Sequence, residues 1–454
     1  MKHGLIALER LALSADLYEL TMAAAFFDAG IADRQATFDL GIRNLPAERG
    51  FLIAAGLEQA LAYLRDFRFW PQALDYLEGS GHFRQEFLDY LGALRFTGEV
   101  WALPEGTVYF PPGPLMRIHA PIIEAQIIET YLLTTLTYQT MIASKAARVV
   151  SAAQGRAVVD FSPRRDHGPQ AGLLCARAAY IGGAVGTSNV LANDMFEIPI
   201  FGTMAHSFVM SYRDEIDAFR AFSRSYPGNP TLLIDTYDTV EGAHKAIELI
   251  PELRDNGREL AAVRLDSGDL LTLSRQVREV LDAGGAPTTK IFASGNLDEY
   301  KIERLLADGA QIDGFGVGTE LGTSGDAPSL NSTYKLVACQ DDTGREMPVI
   351  KLAASKVTLP DRKQIWRRRD ADSKLAGDTI GLADEHLDGE PLLQSVMADG
   401  KPTMPYPDVH AIRQHATEQV ASLPSACLAI RDAAPYPVDV SARLQALVED
   451  LSSR

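Results

Sequence analysis

Between residues 260 and 324 the chain repeats one local pattern three times. The segments LAAVRLDSGDLLTL, KIFASGNLDEYKI and IDGFGVGTELGTS each carry an apolar run that stops at Gly, Ser, Asp or Thr. After the first stop, Leu270, Leu273, Val277 and Val280 or Leu281 recur at helix spacing, and Gly284 ends the run. A short buried strand, a polar turn and an amphipathic helix make a βα unit. Parallel α/β folds built of such units bind ligands at the carboxyl ends of their strands. Arg264, Asp266, Ser294, Gly295, Gly316, Gly318 and Thr319 fall at those ends.

Strand-like runs also occur at 156–161 (RAVVDF), 183–188 (GAVGTS), 198–205 (IPIFGTMA) and 231–237 (TLLIDTY), and helical patterns separate many of them. Alternation of this kind predicts a parallel α/β fold. So many units in series, with no GxGxxG after the first strand, favour a barrel over an open doubly wound sheet. The expected rim carries Asp160, Phe161, Arg164 and Arg165, then Ser188 and Asn189, then His206 and Ser207, then Asp235 and Asp238.

The rest of the chain reads differently. Residues 14–30 are expected as a helix that Ser14 or Asp16 caps and Gly30 ends, with Tyr18 early in it as a half-buried aromatic. Residues 35–43 alternate like a strand, 51–65 and 84–94 read as helices, and 98–121 as short antiparallel strands between Pro and Gly. Residues 124–150 form the longest helical stretch, apolar on most faces and so expected to be buried between layers. After about 330, TYKLVACQDDTGREMPVIKLAAS reads as a hairpin turning at DDTG. TLPDRKQIWRRRDADS holds a basic cluster, read first as a solvated face and second as a phosphate contact, and the end from about 411 is helical. The expected division is 1–123 as an α+β domain, 124–330 as the barrel, and 331–454 as a region packing back on the first.

The 454 residues, 46% of them hydrophobic, suffice for two or three domains with large cores. A formal charge of -17 argues against a nucleic-acid or acidic-membrane role, because phosphate backbones need basic faces. A small anionic substrate stays compatible if a few arginines converge. Cys175, Cys339 and Cys427 are scattered without a CxxC and read as buried thiols of a reducing compartment. LIALERLAL is broken by Glu9 and Arg10, and no apolar run spans a bilayer, so a cytoplasmic protein is expected.

Residue chemistry narrows what the rim does. The GVGT turn at Gly316–Thr319 resembles the phosphate cradles found late in barrels, and Ser294-Gly295 on the preceding strand adds to it. Arg264 and Arg164 are anchors for a carboxylate or phosphate, since guanidinium binds both bidentately; surface ion pairing is the alternative. Asp266 and Asp269 suit ribose hydroxyls, a metal or helix capping; capping suits Asp269, which leaves function to Asp266. His206 stays open between a structural and a catalytic histidine on residue type alone. No HExxH, GxSxG or Walker loop is present.

Taken together, DLYELTM, ERGFLIAAGLEQAL, EGTVYFPPGPLMRIHAP, ASKAARVV, VGTSNVLA, FGTMAHSFV, LLIDTYDT, VRLDSGDL, FASGNLDEYKI, DGFGVGTELGTS and TLPDRKQIWR resemble, in order and along nearly the whole chain, the nicotinate phosphoribosyltransferase family. The resemblance implies an irregular TIM-like α/β barrel with an additional α+β domain assembled from both chain ends. It implies condensation of nicotinate with phosphoribosyl pyrophosphate, coupled to ATP hydrolysis with Mg²⁺, in a homodimer with sites at the subunit interface. It assigns His206 as the phosphorylated histidine, Arg264 to the nicotinate and phosphate site, and Asp266 to the ribose. Phe161 matches the pyridine-stacking aromatic, Arg164 the arginine beside it, and Tyr18 a tyrosine reaching into the partner subunit's site. Gly295, Gly316, Gly318 and Thr319 match the 5′-phosphate loops. Asp235, in the DTYD turn, is the expected partner for the other ring nitrogen of His206. The chain departs from the common pattern at Ala15, where many members have Thr, and at Ser162-Pro163, where many have a glycine-containing pair.

Four alternatives lose ground. A nicotinamide-using relative has an aspartate where this chain has Ser188, which does not repel a carboxylate. Quinolinate phosphoribosyltransferase shares the fold but is shorter, and a barrel lyase or isomerase needs a Schiff-base lysine or an acid/base pair that the rim lacks. A non-catalytic sensor is expected to have lost His206 or Asp266, and both are present.

Overall fold

The computed structural model describes residues 6–352 and 358–453. The chain divides into two compact units, one of Met1–Met141 with Ser329–Arg454 and one of Ile142–Pro328.

The second unit is built on six parallel strands. Across the sheet they run Gly186–Thr187, Ala157–Asp160, Gly314–Val317, Lys290–Ala293, Ala262–Leu265 and Thr231–Leu233. The sheet curls into a half-barrel. Its strands are short and buried on both faces, with Val158, Val159, Leu232, Val263, Leu265, Ile291, Phe315 and Val317 in the core, which is why they read as apolar runs and not as alternations. Helices follow at the expected places. Asp269 caps Leu270–Ala283, accepting from the Leu271 and Thr272 backbone, as its residue type predicts.

One expected strand fails to form. Of 198–205, only Ile200 makes an isolated parallel bridge, to Thr187. Pro199 has no N–H to give a ladder, and residues 201–205 form no strand. Among the described residues no pairing joins this segment to Thr231–Leu233, so the barrel stays open along a seam there.

The first unit holds an antiparallel sheet drawn from both ends of the chain. Its order is Glu346–Pro348, Ser332–Gln340, Gln35–Ile42, Pro114–Pro121, Glu99–Ala102, Gln394–Ala398 and Lys401–Pro402. The first two strands form the expected hairpin; the last residues of that stretch, 353–355, lie outside the described residues. The helix expected over 51–65 begins only at Leu57, after a short strand at Leu52–Ile53, because Gly56 takes φ +99 and breaks the run. The expected first helix forms over Leu17–Asp28, with Asp16 at its N-cap but making no side-chain cap bond, and with Ala29 at its C-cap.

The long helix appears as Ile122–Ile127 followed by Glu129–Ala152. The chain divides within it, between Met141 and Ile142, rather than ahead of it. The side chains explain why. In its first half Thr130 donates to Glu19, Tyr131 stacks on Tyr63 at 3.8 Å, and Thr140 bonds to Ala55. In its second half Lys145 and Arg148 pair with the buried Glu299, at 2.5 and 2.9 Å.

The basic cluster is a solvated face only in part: Arg369 is exposed, but other members are buried. Strand Lys363–Arg369 buries Lys363 against Asp39 at 2.8 Å and Arg367 against Asp378, bidentately at 2.9 and 2.7 Å. Tyr436 donates a further hydrogen bond to Asp378. Asp378→Ala leaves a buried guanidinium unpaired and is expected to cost about 3–5 kcal/mol in urea unfolding; a loss under about 1 kcal/mol would show that water replaces the carboxylate.

Candidate functional site

The strand ends of the second unit converge on Arg264. It stands on Ala262–Leu265 with its side chain 12% exposed. Its Nε donates to Ser294 Oγ at 2.8 Å, one terminal nitrogen to Thr203 Oγ1 at 3.1 Å, and the other to Asp266 Oδ1 at 2.8 Å. Ser294 Oγ donates to the same Asp266 oxygen at 2.6 Å. Burial works against the charge on Asp266, but the Ser294 hydroxyl and the Arg264 guanidinium outweigh it and hold its pKa below the ordinary carboxylate value. Asp266 is thus a fixed anion, 27% exposed at the rim.

Beneath it lies Asp235, whose Oδ2 accepts from the Asp266 backbone N at 2.9 Å and from Ser267 Oγ at 2.7 Å. The expectation that Asp235 orients His206 is therefore corrected. His206 Nδ1 lies 3.1 Å from Thr236 Oγ1, the next residue along, and Nε2 lies 3.8 Å from Asp266 Oδ2. Asp235 serves the turn after Arg264 because it ends the neighbouring strand with its side chain beside the 266–267 backbone. Thr236, one residue further, reaches the histidine.

Phe161 follows the strand Ala157–Asp160, its N–H bonded to the Val317 carbonyl. Its ring lies against Gly316, where a Cβ would come within 2.4 Å of it. Glycine at 316 thus makes room for this ring. The Arg264 guanidinium carbon sits 5.2 Å from the Phe161 centroid. Arg164 is exposed at the apex of the turn that follows.

A cavity of about 240 Å³ gathers Phe161, Arg164, Ser188, His206, Arg264 and Asp266. Residues 202–205 and Leu233 complete it, so it opens at the seam of the half-barrel. Ser294 joins through its hydrogen bonds. Gly295 lies under Asp266 at φ +95, where a Cβ would stand 2.0 Å from the Asp266 carbonyl oxygen. Gly318 and Thr319 do not line the cavity; they open the short helix Thr319–Gly322. Tyr18 belongs to the other unit, where its hydroxyl bonds to Glu129; burial and that carboxylate push its pKa up. Thr203 and Thr236 escaped sequence reading: Thr203 sat in a presumed strand, and at Thr236 a carboxylate next door drew the assignment. Among the described residues no cluster of three His, Cys, Asp or Glu is placed to hold a metal, and no helix is long and apolar enough to cross a membrane.

A parallel α/β half-barrel with arginines, an aromatic ring and a carboxylate at its strand ends is a phosphoribosyltransferase-type site, and comparison with known proteins gives the family. Profiles of the nicotinate phosphoribosyltransferase N-terminal domain, family and C-terminal domain match residues 13–137, 157–347 and 386–448. Nicotinate phosphoribosyltransferase pncB2 of Mycobacterium tuberculosis is 47% identical over 95% of this chain and 92% of its own. The nicotinate phosphoribosyltransferase of Bacillus subtilis is 40% identical over 85% and 79%. The crystal structure of human nicotinic acid phosphoribosyltransferase superposes with a TM-score of 0.85 at 29% identity, covering 96% of this chain and 99% of that one. The chain belongs to the nicotinate phosphoribosyltransferase family, a family of enzymes.

Gly295→Ala forces a side chain into a left-handed backbone and against the Asp266 carbonyl. It is expected to lower stability by about 2–3 kcal/mol and to reduce turnover. An unchanged melting temperature would mean that the turn under Asp266 relaxes freely.

Proposed function

We propose that the cavity joins the ring nitrogen of nicotinate to C1 of phosphoribosyl pyrophosphate, releasing pyrophosphate and leaving nicotinate mononucleotide. The observation that carries this reading is the set of Phe161, Arg164 and Arg264 around one cavity, with the uncharged Ser188 beside them. A flat aromatic acid fits that set: its ring stacks on Phe161 and its carboxylate meets guanidinium. Arg264 already has three partners, so Arg164 is the more available clamp, and Arg264 contributes mainly its field.

As the C1–oxygen bond to pyrophosphate breaks, positive charge develops on the ribose, and the nitrogen lone pair closes the new bond. Asp266, kept ionised by its neighbours, is the fixed anion for that charge and for the ribose hydroxyls. The pyridine nitrogen needs no deprotonation, so positioning carries much of the rate. Gly295, Gly318 and Thr319 are proposed for the 5′-phosphate, with Gly316 acting by admitting the Phe161 ring. Mg²⁺ asks for one or two carboxylates besides the substrate's own phosphates. Asp266, with the buried and unpartnered Oδ1 of Asp235 behind it, fits that need. When bound, the ion neutralises charge on the leaving pyrophosphate.

ATP enters through His206. Thr236 fixes Nδ1, leaving Nε2 toward Asp266 as the atom to be phosphorylated. Phosphate there adds negative charge beside Asp266 and biases how the anionic substrates sit. The unit assembled from both chain ends is proposed as the family's additional domain. A homodimer is proposed as well: Leu17 and Tyr18 in one unit, and Val190, Leu191, Met195 and Phe201 in the other, are exposed apolar side chains that a second copy would cover.

Nicotinate should outperform nicotinamide in kcat/KM by at least about a hundredfold, roughly 3 kcal/mol. Purified protein assayed with phosphoribosyl pyrophosphate and each base decides it, and equal turnover would overturn the reading. Ser188→Asp should erode nicotinate use; an unchanged kcat/KM means that Ser188 does not face the ring.

His206→Ala should abolish ATP hydrolysis and its stimulation while keeping a slow ATP-independent transfer. With γ-labelled ATP the wild type should carry an acid-labile, base-stable label at His206. Label on another residue, or full coupling in the variant, refutes the role.

A further inference from the structure

Arg164 has no backbone element of its own: it sits in the turn between Phe161 and the helix Pro169–Ile181. What holds that turn is one buried cluster. The Ser162 backbone N–H donates to Asp160 Oδ1 at 2.9 Å, and its carbonyl accepts from the Arg165 and Asp166 N–H groups at 2.6 and 3.2 Å. Its hydroxyl donates to Asp166 Oδ2 at 3.0 Å. That last bond closes a ring of which Arg164 is the apex. Cys175 lies 3.3 Å from the same hydroxyl and shares a hydrogen bond with Asp166.

Asp166 is also accommodated on two further sides. Gly172, on helix Pro169–Ile181, leaves a Cβ position 3.0 Å from Asp166 Oδ2. Gly322, at the end of Thr319–Gly322, leaves one 2.0 Å from Asp166 Oδ1 and 2.5 Å from Ser162 Cβ. Two separate helices thus give up side chains where one carboxyl group stands. Its Oδ1 is buried without a hydrogen-bond partner. Burial, with Asp160 nearby, raises the Asp166 pKa to about 6. A carboxyl with one oxygen buried and unpartnered is costly to keep.

We propose that Asp166, through its hydrogen bond to Ser162, is a positioning residue for Arg164 and so sets affinity for the carboxylate of the aromatic acid. This rests on the reading of the cavity given above. Asp166 touches no substrate; it fixes the turn that presents the guanidinium. Its influence falls first on the acid: the cluster's hydrogen bonds grip the Arg164 turn and leave the Arg264–Asp266–Ser294 network untouched, and it meets the helix Thr319–Gly322 only at Gly322, the end away from Gly318 and Thr319.

The test is steady-state kinetics of the full chain with each substrate varied in turn. Asp166→Ala is expected to raise the nicotinate KM about tenfold, with the phosphoribosyl pyrophosphate KM within about twofold of wild type. Asp166→Asn keeps an acceptor for the Ser162 hydroxyl and should recover most of the loss. Ser162→Ala should behave like Asp166→Ala, and the double variant should be no worse than the worse single, because both remove one bond. Should Asp166→Ala fail to fold, Asp166→Asn/Ser162→Ala against Asp166→Asn alone reads the same coupling. An unchanged nicotinate KM, an equal rise in both KM values, or additive losses would overturn the proposal. A wild type that makes no nicotinate mononucleotide would instead overturn the functional reading beneath it.

Discussion

The site depends on one charge placed where it has to be neutralised. Arg264 is nearly buried at a strand end, and a guanidinium there is stable only if its hydrogen bonds are met. Thr203, Ser294 and Asp266 meet them, from three separate stretches of chain. The same requirement ties the segment after Ile200 to strands Ala262–Leu265 and Lys290–Ala293. It also fixes Asp266 as an anion at the rim. An arginine and an aspartate are thus held at the rim by the need to satisfy each other.

The open seam follows from the same region. Pro199 withholds a donor, the ladder reduces to one bridge, and residues 202–205 are freed from strand geometry. A closed barrel would fill this space with side chains. Here it becomes the cavity, with the partly exposed His206 and the buried Leu233 both in its lining.

Much of this was legible in the sequence, and the exceptions have physical causes. The βα units after residue 260 were readable because buried parallel strands are apolar runs bounded by polar turns, and because Asp269 and Gly284 punctuate the helix between. Phe161, Arg164, Ser188, His206, Arg264 and Asp266 were all singled out, and one cavity holds them. What failed was anything decided by side-chain direction. Asp235 was preferred over Thr236 for His206 on residue type, yet a one-residue step at a strand end turns the side chain elsewhere. The basic run at 363–369 read as solvated because its partners, Asp39 and Asp378, lie hundreds of residues away or across a hairpin. The strand at 198–205 failed because pattern reading weighed its apolar residues above the proline among them.

An acidic chain that handles anionic substrates also needs an electrostatic account. A formal charge of -17 spread over the surface is largely screened beyond about 8 Å at physiological salt. Inside the cavity the balance is local, with Arg164 and Arg264 against Asp266 and with Ser188 contributing no charge. Under the proposed reading Arg164 faces the carboxylate of the acid, while Arg264 is paired at 2.8 Å with Asp266, the anion proposed for the ribose. That arrangement matches a reaction in which a carboxylate must be held at one place while positive charge grows at another. Net charge says little about such a site, because the field the substrate meets is set by three side chains whose pairing the fold enforces.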